Sequence, residues 1–349
     1  MSHTRLWDLR RRNVEKTRRW RWGVNRWLVL LFVVLGIFAA RAYAPVLPHV
    51  QLPAEVLSEQ PLLTIPGVGE IFLTNTLVAT LLADLILIFL AFVIRRAIKR
   101  GDLVLNGIAG AVEGILEALY NLAETSAGKW AKSIFPWMAT IFMLVLVINW
   151  MELIPGVDSI GLLHQSEHGY PVEQIGQLGD TAIMTILPQS SEAAAETAGE
   201  HHESYGVIPF VRVASTDLNF TVALALIAVV MTQVFGVRAL GLSYFSKFFN
   251  VKSLFTKPIF GVIDFAVGIL EMVSEFSKII SFSFRLFGNI FAGSVLLFVI
   301  GSLVPVLAQA GFLMLEFFVG MIQAIVFGML TMVFMSQATV GHGHEGEEH

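Results

Sequence analysis

The 349-residue chain contains no cysteine, which excludes disulfides, thiolate metal sites and cysteine nucleophiles. Charge is scarce as well: Asp, Glu, Lys and Arg make up 14% of residues, against 55% hydrophobic. With 27 Phe and a mean hydropathy of +0.71, so apolar a chain cannot hide its side chains in one soluble core. What recurs instead are apolar spans of the length, about 20 residues, that a bilayer core of about 30 Å demands. The class is an all-α polytopic membrane protein. The net charge of −4 means little, because the charges are so unevenly placed.

Six segments qualify as spans: Trp27 to Ala44, Phe72 to Val93, Phe135 to Leu153, Leu218 to Val237, Val262 to Ile300 and Gly311 to Met335. Basic residues are nearly missing from alternate connections, since Pro45 to Glu70, Gly156 to Ser215 and Gly301 to Ala310 contain only Arg212. Nine of the 23 Lys and Arg precede Trp27, and further clusters follow the second span (Arg95, Arg96, Lys99, Arg100) and the fourth (Arg238, Lys247, Lys252, Lys257). Arg41 is a minor exception. This alternation places both termini in the cytoplasm.

The organisation expected is a basic cytoplasmic arm (1–26), an N-terminal anchor (27–44), an extracytoplasmic loop (45–70), a membrane domain (71–340) holding a second extracytoplasmic loop (156–214), and a His/Glu tail (341–349). The Arg-rich start, apolar run and Ala42-Tyr43-Ala44 also fit a cleaved signal peptide. A retained anchor is the favoured reading; cleavage would leave five spans with unchanged orientation. Leu103 to Lys132 mixes apolar residues with Glu113, Glu117, Glu124, Lys129 and Lys132, so it reads as an amphipathic cytoplasmic helix at the interface. His164, His168, His201 and His202 fit no metal-ligand spacing, so the 156–214 segment reads as a solvated loop with no metal, and the tail likewise.

One residue stands out inside an apolar stretch. Arg285 lies within Ile279 to Ile300, where a guanidinium near the bilayer centre costs at least about 2.5 kcal/mol and cannot escape by losing its proton. On a helical wheel Glu271, Lys278 and Arg285 share a face, with Ser274, Glu275, Ser281 and Asn289 beside them. That polar stripe would climb about 27 Å from Glu271 to Asn289 at about 1.5 Å per residue. The last span repeats the device with Glu316 and Gln323, and earlier spans add Asn149, Glu152, Ser215, Asp217 and Asn219 near their ends.

A plainer account makes these residues helix-end polars and internal salt bridges. It fits Glu152, Asp217, Glu271 and Lys278, which lie where side chains snorkel, and a structural role suits Asp84. For Arg285 it needs a nearby acid, for which Glu316 is the candidate.

The string Ser281-Phe-Ser-Phe-Arg-Leu-Phe-Gly-Asn-Ile-Phe-Ala-Gly closely resembles the signature of subunit a of F-type ATP synthases. Three more motifs agree in order: Asn149-Trp-Met-Glu-Leu-Ile-Pro-Gly, Thr216-Asp-Leu-Asn-Phe-Thr, and Glu316 with Gln323. The resemblance covers about Ile71 to Gln337; the N-terminal arm and the histidine loop fall outside it.

What the resemblance implies is a stator in the bacterial plasma membrane, not an enzyme by itself, packed against a rotating c-ring. The b-type peripheral stalk and the rest of the complex would be further partners, with the lipid bilayer around it, no nucleic acid and no cofactor. Its last two helices would form a long tilted hairpin. Arg285 would then separate two proton half-channels, with Asn289 orienting the guanidinium or water. The outer channel would hold Glu316, Gln323, Asp217, Asn219, Ser215, Asn149 and Glu152, and the inner one Glu271, Glu275 and Ser274. One position departs from the family: Ser294 stands nine residues after the arginine, where many members carry a histidine or acid. Glu316 is therefore expected to work alone through water. A rival reading, a standalone transporter using Arg285 to bind an anion, lacks an inverted repeat or a broken helix in the sequence. A purely structural scaffold would leave Arg285 unexplained.

Overall fold

The computed structural model describes residues 22–42, 53–58, 60–67, 69–99, 107–154, 156–179, 181–186, 204–248, 258–303 and 307–340. Seven α-helices run through them: α1 (Trp22–Ala42), α2 (Asn75–Lys99), α3 (Ile108–Ala127), α4 (Ala131–Met151), α5 (Leu218–Leu240), α6 (Pro258–Leu303) and α7 (Leu307–Ala338). Five helical stretches are long and apolar enough to cross a membrane: α2, α3 continuing into α4, α5, α6 and α7. In α1 the apolar run is shorter, Arg26–Phe38. The chain is an all-α polytopic membrane protein, as composition demands. Ala42-Tyr43-Ala44 extends beyond the described residues, as do His201, His202 and the His/Glu tail.

The core lies where α7 packs on α4, α5 and α6. Phe142, Met138, Val145 and Ile148 of α4, Phe235 of α5, Leu286 and Ile290 of α6, and Met332 and Met335 of α7 are buried there. Phe282 joins α6 to α7, its ring 5.1 Å from Phe327 and 5.4 Å from Phe334. Helix α6 is 46 residues, or about 69 Å at about 1.5 Å per residue, more than twice a hydrocarbon core of about 30 Å. A helix that long must tilt strongly or leave the hydrocarbon.

Two sequence expectations are amended. The amphipathic helix expected over 103–132 spans Ile108–Ala127 and stops at Gly128, whose φ of +50° suits a residue without Cβ, before a short 3₁₀ turn leads into α4. Its buried positions Ala109, Leu119, Ala123 and Ala127 recur at helical spacing, while Glu113, Glu117 and Glu124 are exposed. The insert between α4 and α5, expected only as a solvated loop, carries four strands. β3 (Gly161–Tyr170) pairs antiparallel with β6 (Tyr205–Pro209), and β4 (Val172–Leu178) with β5 (Thr181–Ile186). Their apolar runs are too short to stand out beside transmembrane spans. A small antiparallel pair, β1 (Leu63–Ile65) with β2 (Gly69–Ile71), precedes α2.

Candidate functional site

Arg285 faces outward. It is exposed on the side of α6 that no other described helix covers, together with Ser281, Phe284, Gly288, Asn289 and Ala292, while Phe282, Leu286 and Ile290 point into the core. Its Nη2 donates to Ser281 Oγ at 3.3 Å, one turn back on the same helix. The salt bridges found among the described residues all involve Lys247 or Lys278. Glu316 is therefore not its salt-bridge partner.

Instead Glu316 is buried on α7, its carboxyl against Gly293 of α6, where any Cβ would collide with it. A glycine leaves the space this carboxyl fills. Glu316 Oε1 has no hydrogen-bond partner among the described residues. Glu152, at the C-terminal end of α4, is near enough to Glu316 for their charges to interact, and it accepts a hydrogen bond from Ser294. Ser294 Oγ also lies 3.1 Å from the Ile290 carbonyl. Two carboxyls and a hydroxyl thus meet between α4, α6 and α7. Gln323, two turns beyond Glu316 on the same face of α7, is half-buried.

Next to this group, Asn149 ties three elements together. Its Oδ1 accepts from Ser215 Oγ at 2.6 Å and its Nδ2 donates to the Gly320 carbonyl at 3.1 Å. Trp150 Nε1 adds a bond to the Phe317 carbonyl at 3.2 Å, with the two rings stacked at 4.7 Å. Replacing Asn149 by Leu strands the buried Ser215 hydroxyl, at about 1–3 kcal/mol, and removes the link to the Gly320 carbonyl, which keeps its bond within α7. A lowered melting temperature of the detergent-solubilised complex, with partial rescue by Asn149→Gln, is the expected result.

Asp217 is the N-cap of α5: its Oδ1 accepts from the Asn219 backbone N–H at 2.9 Å, and its Oδ2 accepts from Thr76 Oγ1 of α2 at 3.1 Å. The Asn219 side chain is exposed, so only its backbone joins the group. Arg212 donates to Thr216 Oγ1 at 3.2 Å and to the Pro53 carbonyl at 3.2 Å. Asp84 is exposed on α2.

A second polar group lies toward the other end of α6. Lys247, in the turn after α5, contacts Glu271 at 2.6 Å and Glu275 at 3.6 Å, and Lys278 contacts Glu275 at 2.8 Å. Gln233 of α5 donates to Glu275 at 3.0 Å and accepts from the Tyr244 hydroxyl at 2.8 Å. Among the described residues, two carboxylates meet two ammonium groups there. Burial, reinforced by Glu275 and Glu271, pushes the Tyr244 phenol up to about 12, which keeps it a donor at any physiological pH. Ser274 is exposed one turn away.

The polar stripe read from the sequence is thus divided, because α5 covers the Glu275 side of α6 and leaves Arg285 open. Residues that the sequence reading passed over are Thr76, Gln233, Tyr244 and Gly293. Gln233 carried a signal, a lone amide in an apolar span; Gly293 carried none, since only its neighbour across the helix interface gives it meaning. Among the described residues no group of three His, Asp or Glu converges on a point.

The family model described as ATP synthase A chain matches residues 77–336. The ATP synthase subunit a of Gloeobacter violaceus is 29% identical over 303 residues, covering 84% of this chain and 98% of the relative. That of Mycobacterium bovis is 28% identical over 270 residues, covering 76% and 86%, and that of Moorella thermoacetica 24% over 274 residues, covering 78% and 94%. The family resemblance carried by the motif around Arg285 is borne out. Since the match begins in the first turn of α2, ends in the last turns of α7 and takes in every helix that supplies a residue to the two polar groups, the chain belongs to the ATP synthase A chain family.

Proposed function

We propose that this chain is the stator subunit of a proton-driven ATP synthase, passing protons through two half-channels to a ring of carboxyl-bearing subunits. The observation that carries the reading is the outward exposure of Arg285, beside Gly288, Asn289 and Ala292, on the uncovered face of α6. A permanent cation there calls for an anion, and no carboxylate among the described residues pairs with it.

A ring carboxylate facing lipid must be protonated, because a bare charge there is costly, while one facing Arg285 can ionise. Arg285 keeps its own proton, so it attracts each carboxylate without becoming a wire between the two channels. Each proton crossing the membrane contributes about 2.3 kcal/mol per 100 mV. By the distribution of basic residues, the insert side is extracytoplasmic and both termini are cytoplasmic; the likeness to bacterial ATP synthase subunit a chains makes the membrane the bacterial inner membrane. The outer half-channel holds Glu152, Ser294, Glu316 and Gln323, with Asn149, Ser215, Asp217 and Asn219 at its wall. The inner one runs past Ser274, Glu275 and Glu271. Catalysis belongs to other subunits, and a b-type peripheral stalk holds this one against rotation.

Because the chain has no cysteine, the ring-facing side can be tested directly. Ala292→Cys is expected to form a disulfide with a cysteine placed beside the ring carboxyl, stopping rotation, whereas Ile290→Cys, fully buried, forms none. Equal cross-linking of both would refute the orientation of α6.

A further inference from the structure

Between the insert and the membrane helices lies a cavity of about 970 Å³. Its roof is built from β3, β5 and β6, one wall from the segment before α2 that carries Glu55, and its floor from Phe291, Ser294, Val295 and Phe298 of α6, with Gln309 of α7 at the side. Ser294 is also the hydroxyl bonded to Glu152. The cavity therefore reaches the hydroxyl that bonds Glu152, although neither Glu152 nor Glu316 lines it.

We propose that the strand insert roofs the outer mouth, making this cavity an antechamber through which protons reach Ser294 and Glu152 past Asp158 and Arg212. The proposal rests on the half-channel reading above. Three features support it. The volume holds tens of waters, enough for a continuous hydrogen-bonded path. The segment before α2 is fastened to the helix bundle by Asn75, whose Nδ2 donates to Glu55 Oε2 at 3.1 Å and whose Oδ1 accepts from the Glu55 N–H at 3.2 Å. Arg212, just after β6, is bonded to that same segment at Pro53, so the base of the roof and the wall are held together.

The ionisable lining residues are Glu55, Asp158, Tyr170 and Arg212. Asp158 lies in the short 3₁₀ turn Val157–Ser159, at the foot of the roof, and the opposite charge of Arg212 acts on it. Burial raises its carboxyl to about 6 against the pull of Arg212, within the range where it both takes and gives up protons at ordinary external pH. Bound cation is not required for this role; a proton passing over water and carboxylate suffices.

The test uses Val295→Cys in the full complex, reconstituted with the insert side facing out, and the membrane-impermeant thiol reagent methanethiosulfonate ethylammonium. Modification from outside is expected to cause loss of proton flux in proportion to labelling. Asp158→Asn, which preserves the shape of the cavity, is expected to slow flux severalfold and to flatten its response to external pH around 6. Full flux after complete labelling would overturn the proposal, as would a Val295→Cys that the reagent never reaches in a conducting complex. The two readings separate cleanly: normal pumping in Arg285→Ala refutes the half-channel function itself, whereas lost pumping in Arg285→Ala beside intact flux in labelled Val295→Cys refutes only the antechamber.

Discussion

Replacing Arg285 by Ala is expected to abolish ATP-driven proton pumping in vesicles carrying the otherwise intact complex, while ATP hydrolysis or passive leak survives. The guanidinium is exposed on α6 and, among the described residues, bonded to Ser281 alone, so its removal leaves the described helix packing intact. What is lost is compensation for a ring carboxylate. An uncompensated charge at mid-membrane costs about 2.5–3.5 kcal/mol on insertion scales, and at about 1.4 kcal/mol per tenfold that alone slows each ring step by roughly two orders of magnitude. Arg285→Lys keeps a charge but brings a titratable group, so partial coupling with added leak is expected there. Unimpaired pumping in Arg285→Ala would refute the role of separator.

Glu316→Gln has the second largest expected effect, and it acts on a different step. The substitution preserves shape in the space left by Gly293, so the fold should persist. It removes a carboxyl whose Oε1 is buried with no hydrogen-bond partner among the described residues. A positioned acid or base typically contributes about 10²–10⁴-fold to proton transfer, so passive conduction and pumping should fall at least about a hundredfold. Glu152 sets the comparison. Because Ser294 bonds Glu152 and not Glu316, Ser294→Ala should weaken conduction less than Glu316→Gln does. Conduction unchanged in Glu316→Gln would end the idea that Glu316 relays protons, alone or with Glu152.

Much of this protein could be read without coordinates. Six of the seven helices follow from apolar length, and α3 from amphipathic spacing, because a bilayer admits few other ways to satisfy the backbone. Arg285, Glu316 and Asn149 announce themselves as polar residues in apolar surroundings. Periodicity also put Glu271, Lys278 and Arg285 on one face of α6, since seven residues nearly close two turns.

Partners across helices were another matter. Lys247 reaches Glu271 from a turn after α5, Thr76 reaches Asp217 over a separation of 141 residues, and Glu316 rests against Gly293 instead of pairing with Arg285. The strand insert escaped notice because its runs are short, and its place above Ser294 is a matter of packing alone. Local sequence by itself determined which residues are helical, which face of each helix is polar and which charge is permanent, for these depend on neighbours within a turn or two. Only the tertiary structure decided which polar faces meet and which stays open, because the rotation and crossing of one helix against another are set by interlocking side chains far apart in the chain.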